Sequence, residues 1–127
     1  MKKLAWWLVG ILGVQYLLGL LAGMFEEIPT DNPESVFMHL GYIHVHALTG
    51  ALLLLLAIVF LVKAYKTKTQ LMTAWVGLIG IVAAAIAGQV FVHTQNDTWS
   101  IVMGVTWLVA YSCYLVAAVK LQQSIRK

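Results

Sequence analysis

Four long apolar stretches, separated by short polar segments, constrain this chain more than any other feature. They cover residues 4–25, 36–62, 71–92 and 99–119. An α-helix needs about 20 mostly apolar residues to cross a hydrocarbon core of roughly 30 Å. The composition agrees, because 61% of the 127 residues are hydrophobic and only 10% are charged. We therefore predict one integral membrane domain that occupies residues 1–127 in a lipid bilayer.

The polar connections between these stretches are short, covering residues 26–35, 63–70 and 93–98. Connections of this length normally join helices that run antiparallel and lie side by side. The sequence therefore predicts an all-α fold, in which four transmembrane helices form one antiparallel bundle.

Charged residues divide completely between alternate connections. The basic residues lie at the two ends of the chain and in the middle connection: Lys2, Lys3, Lys63, Lys66, Lys68, Lys120, Arg126 and Lys127. The acidic residues lie in the first and third connections: Glu26, Glu27, Asp31, Glu34 and Asp97. Because basic loops are retained in the cytoplasm, we predict a protein of the cytoplasmic membrane with both termini inside (N-in/C-in). The net charge of +3 reflects this bias and does not indicate nucleic-acid binding.

The four histidines are the main candidates for chemistry, because an ionisable side chain at the centre of a bilayer costs roughly 2.5 kcal/mol or more. Counting outward from Val62 at 1.5 Å per residue places His46 about 24 Å along its helix, just inside the hydrocarbon core. His44 is expected at the interface and His39 beyond it. His93 ends the third span on the same outer side.

Helical geometry distinguishes these histidines further. Residues seven apart share a helix face, so His39 and His46 are predicted to align, whereas His44 points almost oppositely to His46. His44 and His46 therefore cannot bind one metal ion together from a regular helix. Gly50 lies one turn below His46 and is expected to let a flat ligand approach the backbone.

An imidazole one turn inside a helical bundle, beside a small residue, is typical of an axial ligand of a membrane heme. Aligning the two halves of the chain by their Val-Lys ends places Met103 opposite His46, and His-Met is an established axial pair. His93 is the competing second ligand. The ordinary alternatives are an interfacial histidine or proton relay at His46 and a space-filling methionine at Met103.

Two further sets of polar residues have a functional and an ordinary interpretation. The outer acidic residues, with the nearby histidines, have the ligand chemistry for a divalent cation but no recognisable spacing; solvated loop charges are the alternative. Gln15 and Gln89 lie within spans one and three, where such residues more often form interhelical hydrogen bonds than catalyse reactions.

Two short segments give the chain a family resemblance. Gln15-Tyr16-Leu17-Leu18-Gly19 in the first span and His46-Ala47-Leu48-Thr49-Gly50 in the second resemble one half of heme A synthase, whose members are two fused four-helix bundles. Across nearly its whole length the chain is similar to half-size, single-bundle members of the group of heme A synthase-like proteins and small membrane b-type cytochromes. The resemblance implies a heme between the second and fourth helices near the outer face, with His46 as an axial ligand. Such relatives carry a histidine in the fourth span, whereas residues 99–119 contain none and Met103 takes the aligned position. The resemblance implies that Glu26 or Glu27 takes the part of the acidic outer-loop residue of these relatives.

These patterns lead to two functional hypotheses. The first is a membrane protein that binds heme b through His46, with Met103 or His93 as second ligand and Gly50 beside it, and that exchanges electrons with quinone or a larger respiratory complex. Any enzymatic activity would then be that of an oxidoreductase. The second hypothesis is a heme-free accessory or assembly subunit, which binds a larger membrane complex through faces of small residues.

Overall fold

The computed structural model describes residues 1–124 and contains four long α-helices. Helix α1 covers Lys2–Phe25, α2 covers Tyr42–Thr67, α3 covers Leu71–Thr94 and α4 covers Asp97–Gln123. A short 3₁₀ helix, Pro33–Phe37, lies in the connection between α1 and α2. Each α-helix is long and apolar enough to cross a membrane, and the described residues contain no β-strand. The predicted all-α fold is therefore confirmed, and its four long helices are candidate membrane spans.

The helices are arranged in a ring in which each packs against two neighbours. Helix α1 packs against α2 and α4, and α3 packs against the same two helices; within residues 1–124 the backbones of the diagonal pairs α1–α3 and α2–α4 do not approach each other closely. The indole N–H of Trp6, near the start of α1, donates to Oε1 of Gln122, near the end of α4 (3.2 Å). Side chains pack the centre of the ring at one end of the bundle, and a cavity lies within the ring at the other end.

The two ends of the bundle differ in charge. We call the end with the α1–α2 and α3–α4 connections the acidic end, and its residues are Glu26, Glu27, Asp31, Glu34 and Asp97. We call the other end the basic end, and its residues are Lys2, Lys3, Lys63, Lys66, Lys68 and Lys120. Arg126 and Lys127, also predicted at this end, lie outside the described residues.

Helix α2 differs most from its predicted span of residues 36–62. It begins six positions later, at Tyr42, because Pro33 starts the 3₁₀ turn and the extended residue Gly41 precedes the helix. It continues to Thr67, and Lys68 ends it with a left-handed backbone (φ 52°). His39 consequently lies outside α2, so the prediction that His39 and His46 share one helix face is wrong.

Tight packing fills the basic half of the ring. The rings of Phe60 on α2 and Tyr114 on α4, both fully buried, meet edge to face with centroids 5.5 Å apart. Gly77 on α3 makes room for Tyr114, since a Cβ there would lie 2.7 Å from the tyrosine ring. The basic half of the molecule is therefore a tightly packed core.

Candidate functional site: a cavity with an anchored histidine

A cavity of about 710 Å³ occupies the acidic half of the ring and is lined by residues of all four helices. Its walls are mainly apolar and include many glycine and alanine residues, such as Gly23, Ala47, Ala84 and Gly104. Small-molecule and cofactor sites commonly measure roughly 300 to 1,000 Å³ and have mostly apolar walls with a few polar groups. The size and lining of this cavity are therefore those of a ligand site.

Three of the four predicted site residues line this cavity. His46 and Gly50 contribute from α2 and Met103 contributes from α4, the helix diagonally opposite in the ring. His93 is not among the lining residues. The ring thus brings His46 and Met103 to the wall of one cavity, although the backbones of α2 and α4 do not approach each other closely.

His46 is bound to Gln15 of α1 through both of its ring nitrogens. The imidazole Nδ1 lies 3.1 Å from the backbone oxygen of Gln15, and Nε2 lies 3.2 Å from the side-chain amide nitrogen of Gln15. The same amide nitrogen donates to the backbone oxygen of His46 at 3.0 Å. Gln15 and His46 therefore form a reciprocal clasp between α1 and α2.

The partners of His46 determine which nitrogen carries the proton. A backbone carbonyl only accepts hydrogen bonds, so Nδ1 must be the protonated nitrogen that donates to Gln15. The neutral ring then has its lone pair on Nε2, where it accepts an N–H of the Gln15 amide. A hydrogen bond from Nδ1–H to a carbonyl is the usual support for a histidine that binds a metal through Nε2.

Two glycines make this clasp possible. A helical backbone carbonyl lies beside the side chain four residues later, and Gly19 and Gly50 occupy those positions relative to Gln15 and His46. A Cβ at Gly19 would lie 3.2 Å from Cε1 of His46, and a Cβ at Gly50 would lie 3.2 Å from the amide nitrogen of Gln15. The space beside Gly50, predicted to admit a flat ligand, is thus where the Gln15 amide approaches the backbone.

Met103 has a comparable setting on the other side of the cavity. Its sulfur packs on Gly88 of α3, where a Cβ would lie 3.1 Å from Sδ. Trp107 lies one turn further along α4, also lines the cavity, and donates its indole N–H to the backbone oxygen of Leu12 (3.0 Å). Both candidate ligands therefore rest against a glycine of the preceding helix.

The remaining histidines take part in local contacts at the acidic end. Nε2 of His93 lies 3.1 Å from the side-chain amide nitrogen of Gln89 and 3.8 Å from Oε1 of Glu34, and His93 is 40% exposed. Nδ1 of His44 contacts the backbone oxygen of Phe37 in the 3₁₀ helix. His44 and His46 thus have separate partners on separate elements, as their predicted opposite directions require.

Glu26 connects the end of α1 to the start of α2. Its carboxylate accepts backbone N–H groups of Tyr42 and Ile43, the latter at 2.9 Å, and it also lines the cavity. A carboxylate at this position satisfies free donors of the helix and interacts favourably with its dipole. Glu26 therefore has a structural role at the start of α2.

The divalent-cation site considered for the acidic residues has no counterpart in the described structure. Within residues 1–124, no group of three or more His, Cys, Asp or Glu side chains has metal-binding geometry.

Gln15 is the functional candidate whose partner was not predicted from the sequence. The expectation that it forms an interhelical hydrogen bond is confirmed, whereas Gln89 bonds His93 within its own helix. A signal for the Gln15–His46 clasp existed, because each residue precedes a glycine by four positions. Only the relative register of α1 and α2 reveals that these two patterns meet.

Comparison with known proteins provides no relative: no family model, curated protein or solved structure matches this chain.

Proposed function

We propose that this chain is a b-type heme protein of the cytoplasmic membrane, which exchanges electrons with quinone or a larger respiratory complex. The observation that carries the proposal is the apolar cavity of about 710 Å³ with His46 in its wall. In this proposal His46 would hold the heme iron through Nε2, and its Nδ1–H would remain bonded to the backbone oxygen of Gln15.

The residues around the cavity fit a heme in three respects. The ring of His46 has its lone pair on Nε2, the nitrogen that binds iron when Nδ1–H donates to a carbonyl. The small side chains of the walls suit a flat, apolar macrocycle. Gln95 and Ser100, near the acidic end, offer hydrogen-bond donors to the carboxylate side chains of heme. The negative charge of Glu26 is engaged by backbone N–H groups of α2.

Met103 is the second ligand that this proposal favours. It lines the cavity on the opposite side from His46, whereas His93 lies outside the lining and bonds Gln89. A bound heme would supply one-electron redox chemistry, and a methionine ligand favours a higher reduction potential than a second histidine. The apolar residues that line the cavity would orient the group.

The family resemblance and the orientation are also part of this proposal. The segments that resemble half of heme A synthase, residues 15–19 and 46–50, are the two that form the clasp. The missing histidine of the fourth span favours electron transfer over heme oxidation as the activity. The basic end would face the cytoplasm, with both termini inside and the cavity near the outer face.

One observation favours a second candidate, a heme-free accessory subunit of a larger membrane complex. Both ring nitrogens of His46 already have protein partners, so the imidazole is hydrogen-bonded without a cofactor. In this alternative the clasp simply fastens α1 to α2. Polar side chains that bond across helices are a common means of association in membranes.

The visible spectrum of the purified protein, expressed with ample heme, distinguishes these candidates. We expect a Soret band that shifts on reduction, its loss in His46→Ala and its retention in the matched variant His44→Ala. His44 is the appropriate control because it bonds Phe37 and does not line the cavity. A wild-type protein without a Soret band would support the accessory subunit, and equal loss of heme from both variants would contradict the assignment of His46.

A further inference from the structure

The side-chain amide of Gln15 contacts Nε2 of His46, the nitrogen that would bind iron in the proposed function. Its amide nitrogen lies 3.2 Å from Nε2, while Nδ1 is bonded to the backbone of the same residue. Gln15 is only 9% exposed and lines the cavity. A ligand that approaches Nε2 from the cavity therefore meets the Gln15 amide first.

The hydrogen-bond partners of the Gln15 side chain determine the orientation of its amide. The atom 3.0 Å from the backbone oxygen of His46 must be a donor, so it is the nitrogen and not the oxygen of the Gln15 side chain. Both N–H groups are thereby directed at acceptors of His46. The amide oxygen Oε1, in contrast, is buried and has no hydrogen-bond partner.

We infer that Gln15 is a positioning residue that gates His46: its backbone carbonyl orients the imidazole, and its side-chain amide competes with a heme iron for Nε2. This inference rests on the proposed function. The two roles belong to different parts of Gln15, so a substitution separates them. Replacing the side chain removes the competitor, while the main-chain carbonyl continues to hold Nδ1–H.

The competing hydrogen bond determines the size of the expected effect. Interhelical hydrogen bonds in membranes contribute little each, and bonds in soluble proteins somewhat more, so removing this competitor should tighten heme binding about three- to fivefold. Gln15→Met keeps the length of the side chain without the amide. Gln15→Asn keeps an amide that is one methylene too short to reach Nε2, and it should behave in the same way.

The first measurement needs no heme. In heme-free protein labelled with ¹⁵N-histidine, we expect His46 as the Nδ1–H tautomer in wild type and in Gln15→Met, with only the Nε2 resonance shifted by the substitution. The matched control is Gln122→Met, which removes an amide at the basic end that bonds Trp6. An Nε2 resonance that does not respond to Gln15→Met would overturn the inference.

The second measurement is titration of each detergent-solubilised protein with heme b, followed at the Soret band. We expect tighter binding by Gln15→Met and Gln15→Asn, an unchanged band position, and wild-type affinity for Gln122→Met. Heme binding by wild type with equal or weaker binding by both Gln15 variants would overturn the gate and leave the proposed function standing. Failure of wild type and both variants to bind heme would overturn both.

Discussion

Adding a methyl group at Gly19 tests whether the backbone of α1 holds the His46 imidazole. The new Cβ of Gly19→Ala would lie 3.2 Å from Cε1 and 3.6 Å from Nδ1 of His46, so the ring must move by a few tenths of an ångström. That movement lengthens the bond from Nδ1–H to the Gln15 backbone, now 3.1 Å, and the bond between Nε2 and the Gln15 amide, now 3.2 Å. The change therefore weakens both imidazole bonds without removing either partner.

The magnitude follows from two opposing effects. Alanine in place of glycine within a helix stabilises by about 0.5 to 1 kcal/mol. An intact interhelical hydrogen bond contributes about 0.6 kcal/mol, so weakening both bonds of His46 costs up to about 1.2 kcal/mol. Gly19→Ala should thus leave the free energy of unfolding nearly unchanged. Gly10→Ala, on the same helix with open space around its Cβ, should raise it by the full helical gain.

Heme affinity provides the sharper readout of the same substitution. Loss of the partner that supports a metal-binding histidine typically weakens metal binding 10- to 100-fold. The weaker support at Nδ1 lowers heme affinity and the weaker competing bond at Nε2 offsets part of that loss. We therefore expect Gly19→Ala to weaken heme binding severalfold and Gly10→Ala to leave it unchanged, as measured by Soret titration. Unfolding in mixed micelles with rising SDS supplies the stability difference. If Gly19→Ala matched Gly10→Ala in both measurements, the imidazole would not be held by the Gln15 carbonyl.

Three further substitutions test neighbouring parts of the structure. Met103→Leu should lower the reduction potential of the bound heme or leave it five-coordinate and high-spin; an unchanged spectrum would transfer the second-ligand role to another residue. Tyr114→Phe should raise the free energy of unfolding by about 1 kcal/mol, because the buried hydroxyl has no hydrogen-bond partner, and equal or lower stability in SDS titration would contradict this. Glu26→Gln should destabilise the protein by about 0.5 kcal/mol through the lost charge at the start of α2, and a salt-independent or absent effect would refute that role.

The sequence predicted the helices well where composition alone determines them. Helix α1 and helix α3 begin and end within two residues of their predicted spans, because charged or polar residues flank their apolar runs. The second span failed at its start, since the apolar residues Val36 and Phe37 belong to a 3₁₀ turn begun by Pro33. Hydropathy measures how apolar a segment is and carries no information on whether its backbone is continuous with the next helix.

The candidate site could be predicted only in part, for a related reason. Depth along a helix can be counted from sequence, and in the structure His46, Gly50 and Met103, which were predicted at similar depth, line one cavity. The rotation of one helix relative to another cannot be derived from residue spacing. The sequence therefore did not predict the hydrogen bonds between Gln15 and His46. His93 illustrates the limit: its depth is suitable, but it bonds to its own helix and lies outside the lining.

The clasp between Gln15 and His46 lies beside the cavity, whereas the other half of the bundle is tightly packed. Small residues in a membrane bundle ordinarily allow helices to approach closely, and Gly77 in the basic half does so against Tyr114. In the acidic half, Gly19 and Gly50 instead expose two backbone carbonyls, and a glutamine and a histidine occupy the space. Glycine thus permits close packing in one half of the ring and leaves hydrogen-bonded polar groups beside the cavity in the other. A larger residue at Gly19 or Gly50 would preserve the four helices and displace the imidazole or the Gln15 amide from its present contacts.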